Sequence, residues 1–135
     1  MSYKIEKIEG IGPAYAAKLA EQGIKTTADY LTKAAAAKGR KALAEATDIS
    51  PSLILRWANQ ADLMRITGIG EEFAELLEKA GVDTVKELKT RNAQNLTAAM
   101  DAVNAEKKLV RRLPALSEVE KWIEQAKTLE PMISH

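Results

Sequence analysis

Two Gly-Ile-Gly turns constrain this chain more than anything else in it. The stretch EGIGPAYAAKLAEQGIKTTADYL (Glu9–Leu31) is nearly repeated as TGIGEEFAELLEKAGVDTVKEL (Thr67–Leu88). At an offset of 58, Gly10 meets Gly68, Gly12 meets Gly70, Tyr15 meets Phe73, Ala16 meets Ala74 and Leu19 meets Leu77. The match continues through Gly23 and Gly81, Ile24 and Val82, Thr26 and Thr84, and Asp29 and Glu87. Residue type and spacing agree together, as they do in an internal repeat. The register then slips. Trp57 in RWANQA corresponds to Trp122 in KWIEQA at an offset of 65, so the second copy holds about seven extra residues between Leu88 and Trp122. Repeats are expected over residues 1–62 and 63–135, sharing a core.

The pattern around the turns is helical. Pro13 suits the first position of a helix, where its missing N–H costs nothing. Tyr15, Ala16, Leu19 and Ala20 then recur at helical spacing, and Gly23 closes the helix. Phe73, Ala74, Leu76, Leu77 and Ala80 form the matching stripe, closed by Gly81. IKTTADYLTKA and VDTVKELKTR open with capping candidates and turn helical. AAAAKGRKALAEA is helix-prone, with Gly39 as a potential break. Ser50 and Pro51 start a helix expected to run to about Arg65 and to serve as the first helix of the second hairpin. NLTAAMDAVNAEKKLV and LSEVEKWIEQAKTL are expected helices, the latter capped by Ser117 with Glu120 in capping-box register. No stretch alternates as a strand over more than a few residues, so the expected class is all-α.

Composition narrows the chemistry. At 135 residues the chain suits one domain or two small repeats. Apolar residues reach 46% but aromatics only 4%, so Leu, Ile, Val and Ala fill the interior and the two tryptophans are its large plugs. There is no cysteine, which excludes disulfides and thiolate chemistry. The single histidine, His135, is read as a chain end rather than a ligand or base. No apolar run approaches the roughly 20 residues of a membrane span, and no signal peptide is expected. A cytoplasmic protein that is no enzyme, with no membrane partner, is the expectation. Glu71, Glu72 and Glu75 read as solvated helix residues rather than metal ligands.

Glycine permits positive φ, so two in three residues let the chain reverse sharply. Ile11 and Ile69 can then plug inward. The helix that follows starts with free backbone N–H groups and a partial positive charge, a ready anion site. The stretch IEGIGPAYAAKLAEQGIKTTADYL, with Gly23, Ile24, Thr26, Asp29 and Leu31 in its trailing part, resembles the helix-hairpin-helix motif over residues 8–31, and residues 66–88 resemble it again. The whole chain, with a Trp-bearing helix closing each copy, is similar to the DUF4332 family of uncharacterised bacterial proteins. The resemblance implies two tandem helix-hairpin-helix (SAM-like) repeats packed pseudo-symmetrically. It also implies hairpin amides that grip DNA phosphates without reading bases. It allows a monovalent cation held by hairpin carbonyls; no other cofactor is expected.

The candidate contacts follow. In the first hairpin they are Gly10, Ile11, Gly12, Ala14 and Tyr15, with Lys18 and Lys25 nearby; in the second, Gly68 and Gly70. Glu71 and Glu72 stand where Pro13 and Ala14 stand in the first copy. They favour their own helix dipole by ~0.3–1 kcal/mol each. At ~4 Å each also repels a phosphate by about 1 kcal/mol in water and up to about 4 at a poorly solvated interface. Residues 1–62 hold nine Lys/Arg against seven Asp/Glu, and residues 63–135 hold eleven against twelve. Two basic clusters remain: Lys38, Arg40 and Lys41, and Lys107, Lys108, Arg111 and Arg112. In the latter, i, i+4 spacing pairs Lys107 with Arg111 and Lys108 with Arg112 if the helix persists. Two functions are therefore expected to compete. One is sequence-independent DNA-backbone binding through the hairpins; the other is a protein-interaction or scaffold module that keeps the fold without nucleic acid.

Overall fold

The computed structural model describes residues 2–134, and the expectation for His135 lies outside them. Among the described residues a 3-10 turn, Ile5–Lys7, precedes eight α-helices: α1 Pro13–Glu21, α2 Thr27–Ala34, α3 Ala37–Thr47, α4 Pro51–Leu63, α5 Glu71–Lys79, α6 Val85–Leu88, α7 Ala93–Lys107 and α8 Leu116–Thr128. Among the described residues there is no strand, only an isolated antiparallel bridge between Lys4 and Thr26. The protein is all-α.

Local chemistry sets most of the helix ends. Gly23 and Gly81 have φ of +78° and +96°. Their N–H groups donate to Ala20 and Glu78, and those of Ile24 and Val82 to Leu19 and Leu77. Both helices therefore end in Schellman motifs. Thr26 and Asp29 form a reciprocal capping box at α2. By accepting the Lys25 and Thr26 N–H groups, Asp29 is held below the usual carboxylate range. Thr84 and Asn92 cap α6 and α7. Ser50 precedes Pro51 as expected, but its hydroxyl bonds Ser52 instead of the helix. At α8 the start lies two residues earlier than expected. Ser117 falls inside the helix, and the Glu118 carboxylate accepts the Ala115 N–H at 3.0 Å.

α4 lies at the centre of the packing. It contacts α2, α3 and α5, while α6 and α7 pack on α8 and α5 packs on α7. The buried apolar side chains make one cluster running from Ile5 to Ala126. Tyr30 of α2 reaches α4 and donates to the Ile54 carbonyl at 2.7 Å, and its burial pushes the phenol well above its ordinary pKa. Asp62, at the end of α4, is buried. It accepts the Val85 N–H at 2.8 Å and pairs with Arg65 at 2.7 Å, so its charge is compensated twice.

Gly39 does not break α3. A Cβ there would stand 2.0 Å from the Lys33 carbonyl oxygen, so the glycine permits α3 to touch the end of α2. The neighbouring Arg40 is buried. Its guanidinium donates to the carbonyls of Ala34 and Ala35 and to that of Ser134, tying the C-terminal segment to the α2–α3 junction.

The extra length of the second copy is split in two. α7 has 15 residues against 11 in α3, and residues 108–115 link it to α8 where only 48–50 link α3 to α4. α7 stops because Lys108 is left-handed, with φ +52°. The longer link is then stapled. Asn104 exchanges two hydrogen bonds with the backbone of Val110 at 2.9 and 3.1 Å. Arg112 forks onto Glu118 at 2.7 and 3.1 Å and lies 5.6 Å from the centre of the Phe73 ring. The Arg112 fork and the Ala115 N–H pull the Glu118 carboxyl down to about 2.

Two outcomes follow. Helix propensity alone makes Gly39→Ala stabilising by about 1 kcal/mol; the Lys33 contact instead makes it destabilising by about 1–3 kcal/mol, measurable by denaturant unfolding. The folded-state carboxyl of Glu118 is depressed, so its contribution is present above the ordinary carboxylate range and is lost as pH falls toward about 2. Because the pair is exposed, the difference between wild type and Glu118→Gln in acid-to-neutral melting curves stays within about 1 kcal/mol and vanishes at the acid end.

Candidate nucleic-acid interface

The two Gly-Ile-Gly turns are built alike. Gly10 and Gly68 have φ of +95° and +96°, a region L side chains rarely adopt. Behind each stands an indole. A Cβ on Gly10 would lie 3.4 Å from Nε1 of Trp57, and one on Gly68 would lie 3.1 Å from Nε1 of Trp122. Trp57 packs edge-on to Tyr15 with centroids 5.0 Å apart, and Trp122 packs on Phe73 at 5.3 Å. The tryptophans are thus core plugs, as their repetition in an aromatic-poor chain suggests. Nε1 of Trp57 is buried with no acceptor. Ile11 and Ile69 point inward and are buried. The Ile11 and Ile69 N–H groups donate to the carbonyls of Ile8 and Ile66.

The second glycine of each turn differs from the first. Gly12 and Gly70 are the N-caps of α1 and α5, with φ of −87° and −96° that any residue adopts. A Cβ on either meets nothing within 4 Å. No side chain caps either helix. In α1 the N–H groups of Gly12, Ala14 and Tyr15 have no acceptor among the described residues, and Gly12 and Ala14 are exposed. Those amides stand open at the positive end of a nine-residue helix.

The surroundings separate the two turns. In α1 only Leu19 is fully buried. Lys18 is exposed on that helix one turn in from the open amides, whereas its counterpart in α5 is the buried Leu76. Lys25 lies past the far end of α1, which a nine-residue helix places about 13 Å away; it neighbours the Lys4–Thr26 bridge instead. At the second turn, Tyr3, Lys7, Gly70, Glu71, Glu72 and Phe73 line a shallow cleft of about 320 Å³. The Tyr3 hydroxyl donates to the Ile69 carbonyl at 3.4 Å. Half-buried Glu75 follows on α5. Desolvation, and then the nearby charge of Glu9, raise its carboxyl above the usual range. Glu9 directly precedes Gly10, so carboxylates border both turns; what the second turn adds is Glu71 and Glu72 in the first turn of its helix, where α1 has none.

The basic clusters are rearranged by the fold. Arg40 is consumed by backbone carbonyls, leaving Lys38 and Lys41 exposed on α3. The shared helix face expected for Lys107, Lys108, Arg111 and Arg112 does not form, because α7 ends at Lys107. Arg112 is bound to Glu118, while Lys107, Lys108 and Arg111 remain exposed. Through Phe73, this loop sits beside the second turn rather than the first. Sequence reasoning passed over Asp62 and Glu118. Both sit at helix junctions, and only Glu118 announces itself locally, by its spacing from a helix start.

No helix of the described residues is long and apolar enough to cross a membrane. No solved structure matches the chain. Residues 9–129 match the family described as a domain of unknown function, DUF4332, so nearly the whole length from the first Gly-Ile-Gly turn to the end of α8 is accounted for, and the chain belongs to the DUF4332 family.

Proposed function

We propose that the chain consists of two helix-hairpin-helix units and that the first holds the phosphate backbone of DNA without reading bases and without catalysis. Gly12 carries the reading. The fold asks for glycine at Gly10, on grounds of φ and of the indole behind it, but asks for none at Gly12. Ser, Thr, Asp or Asn would cap α1 with a side-chain acceptor there, at a gain over glycine of only a few tenths of a kcal/mol. Glycine leaves three amides open and lets a phosphate approach the backbone closely. Lys18 supplies a charge on the same helix. In the second unit, Glu71, Glu72 and Glu75 oppose the same ligand, so the backbone is held from one side. That acidic turn, with its cleft under Tyr3 and Lys7, favours a protein partner as the second reading.

Duplex titration at two salt concentrations tests the proposal. Binding should weaken with salt at a log–log slope of about −0.9 per phosphate engaged. Gly12→Asp places a carboxylate over the Ala14 and Tyr15 amides. It should leave thermal stability unchanged or raise it by a few tenths of a kcal/mol while lowering duplex affinity at least about tenfold, the equivalent of ~1.4 kcal/mol. Equal binding by wild type and variant, or none by either, overturns the reading. The double variant Glu71→Ala, Glu72→Ala should gain affinity in the same assay by up to about thirtyfold, since each carboxylate costs about 1 kcal/mol at contact distance.

A further inference from the structure

The link between α7 and α8 is not used by the first turn, and its chemistry is unlike the rest of the surface. Residues 107–116 read KKLVRRLPAL. The loop is held from within: Val110 is clasped by Asn104 and buried, Pro114 is buried, and Arg112 is fixed to Glu118 and over Phe73. What this scaffold leaves outside is specific. Lys107, Lys108 and Arg111 are exposed and form no ion pair among the described residues. Leu113 and Leu116 are 37% and 38% exposed, two of the three large apolar side chains turned to solvent among the described residues. The first copy has no counterpart of this loop, because only residues 48–50 join α3 to α4.

We propose that residues 107–116 form a docking surface for an anionic phospholipid bilayer. Three uncompensated cations in five residues match a negatively charged headgroup layer, which attracts basic residues within about a Debye length of it. Two leucines beside them give what a phosphate backbone has no use for, an apolar pair that can enter the headgroup–acyl boundary. The internal staples matter here as well. A loop already ordered loses little conformational freedom on docking. A contact of this kind lies on the membrane and needs no spanning helix, so it is compatible with the absence of one among the described residues. It is separate from the open amides of α1 and stands whether or not they bind DNA.

Co-sedimentation of the full chain with vesicles tests this. Vesicles of phosphatidylcholine with about one-third phosphatidylserine should bring the protein down at low salt, and pure phosphatidylcholine vesicles should not. The charge reversal Lys107→Glu, Lys108→Glu, Arg111→Glu should lower partitioning at least about tenfold, and Leu113→Ser, Leu116→Ser should lower it several-fold. The three cations are exposed and each leucine is a little over one-third exposed, and unchanged thermal unfolding shows that the variants are folded. Gly12→Asp should leave vesicle binding intact, which separates this result from the duplex assay. The proposal is overturned if anionic vesicles fail to bind the protein, if the leucine variant binds them as wild type does, or if the charge reversal lowers duplex affinity and leaves vesicle binding untouched.

Discussion

Each turn depends on an indole pressed against a glycine. Trp57 and Trp122 come from the last helix of their copies and stand behind Gly10 and Gly68, where the backbone is also left-handed. Two independent demands, conformation and space, meet on one residue in each turn. Alanine there is strained by its φ and crowded by the ring at once. With the indole in place, Ile11 and Ile69 can only point inward, and the residue after each is left to start a helix at the surface. The exposed amides of α1 are therefore a by-product of how the turn is anchored. The buried Trp57 N–H, which finds no acceptor, shows how far shape dominates that contact; such a group costs about 1–3 kcal/mol.

From the same frame the two copies diverge. The second spends the helix after its turn on packing: α5 contacts α4 and α7 and buries Ala74, Leu76 and Leu77. Carboxylates fill its outer positions, and Glu78 is gripped by Arg56 and Gln60 of α4. The first copy buries little of α1 beyond Leu19 and keeps small residues, Lys18 and, at its far end, Glu21 on the surface. A helix start with no carboxylate in its first turn suits a bulky anion better than one that carries two. The physical division between the copies is thus one of coverage and field, laid over equal backbone geometry.

Much of this was legible in the residues. Pro13 at a helix start, the closing glycines Gly23 and Gly81, the capping candidates before α2 and the inward Ile11 and Ile69 all rest on interactions within a few positions of each other, and those rules are local. The misreadings share the opposite property. Gly39 is a weak helix former by propensity, but its place is set by the Lys33 carbonyl of another helix. Arg40 sits in a cluster that looks solvated, yet its partners include Ser134, 94 positions away. Lys107 to Arg112 has helical spacing, but Asn104 turns the chain at Lys108 by offering its amide to Val110. The openness of Gly12, the centre of the candidate site, was foreseeable as a missing cap; the closeness of Glu9 to Glu75 was not.

α4 belongs to both halves at once. Its Trp57 holds the first turn, its Arg56 and Gln60 hold α5, and its last residues, through Asp62, hold the start of α6. Fraying at either Gly-Ile-Gly turn must therefore loosen a helix on which the other is seated. The molecule should melt as one cooperative unit rather than in two stages, and a ligand that steadies the first turn should slow hydrogen exchange at the second.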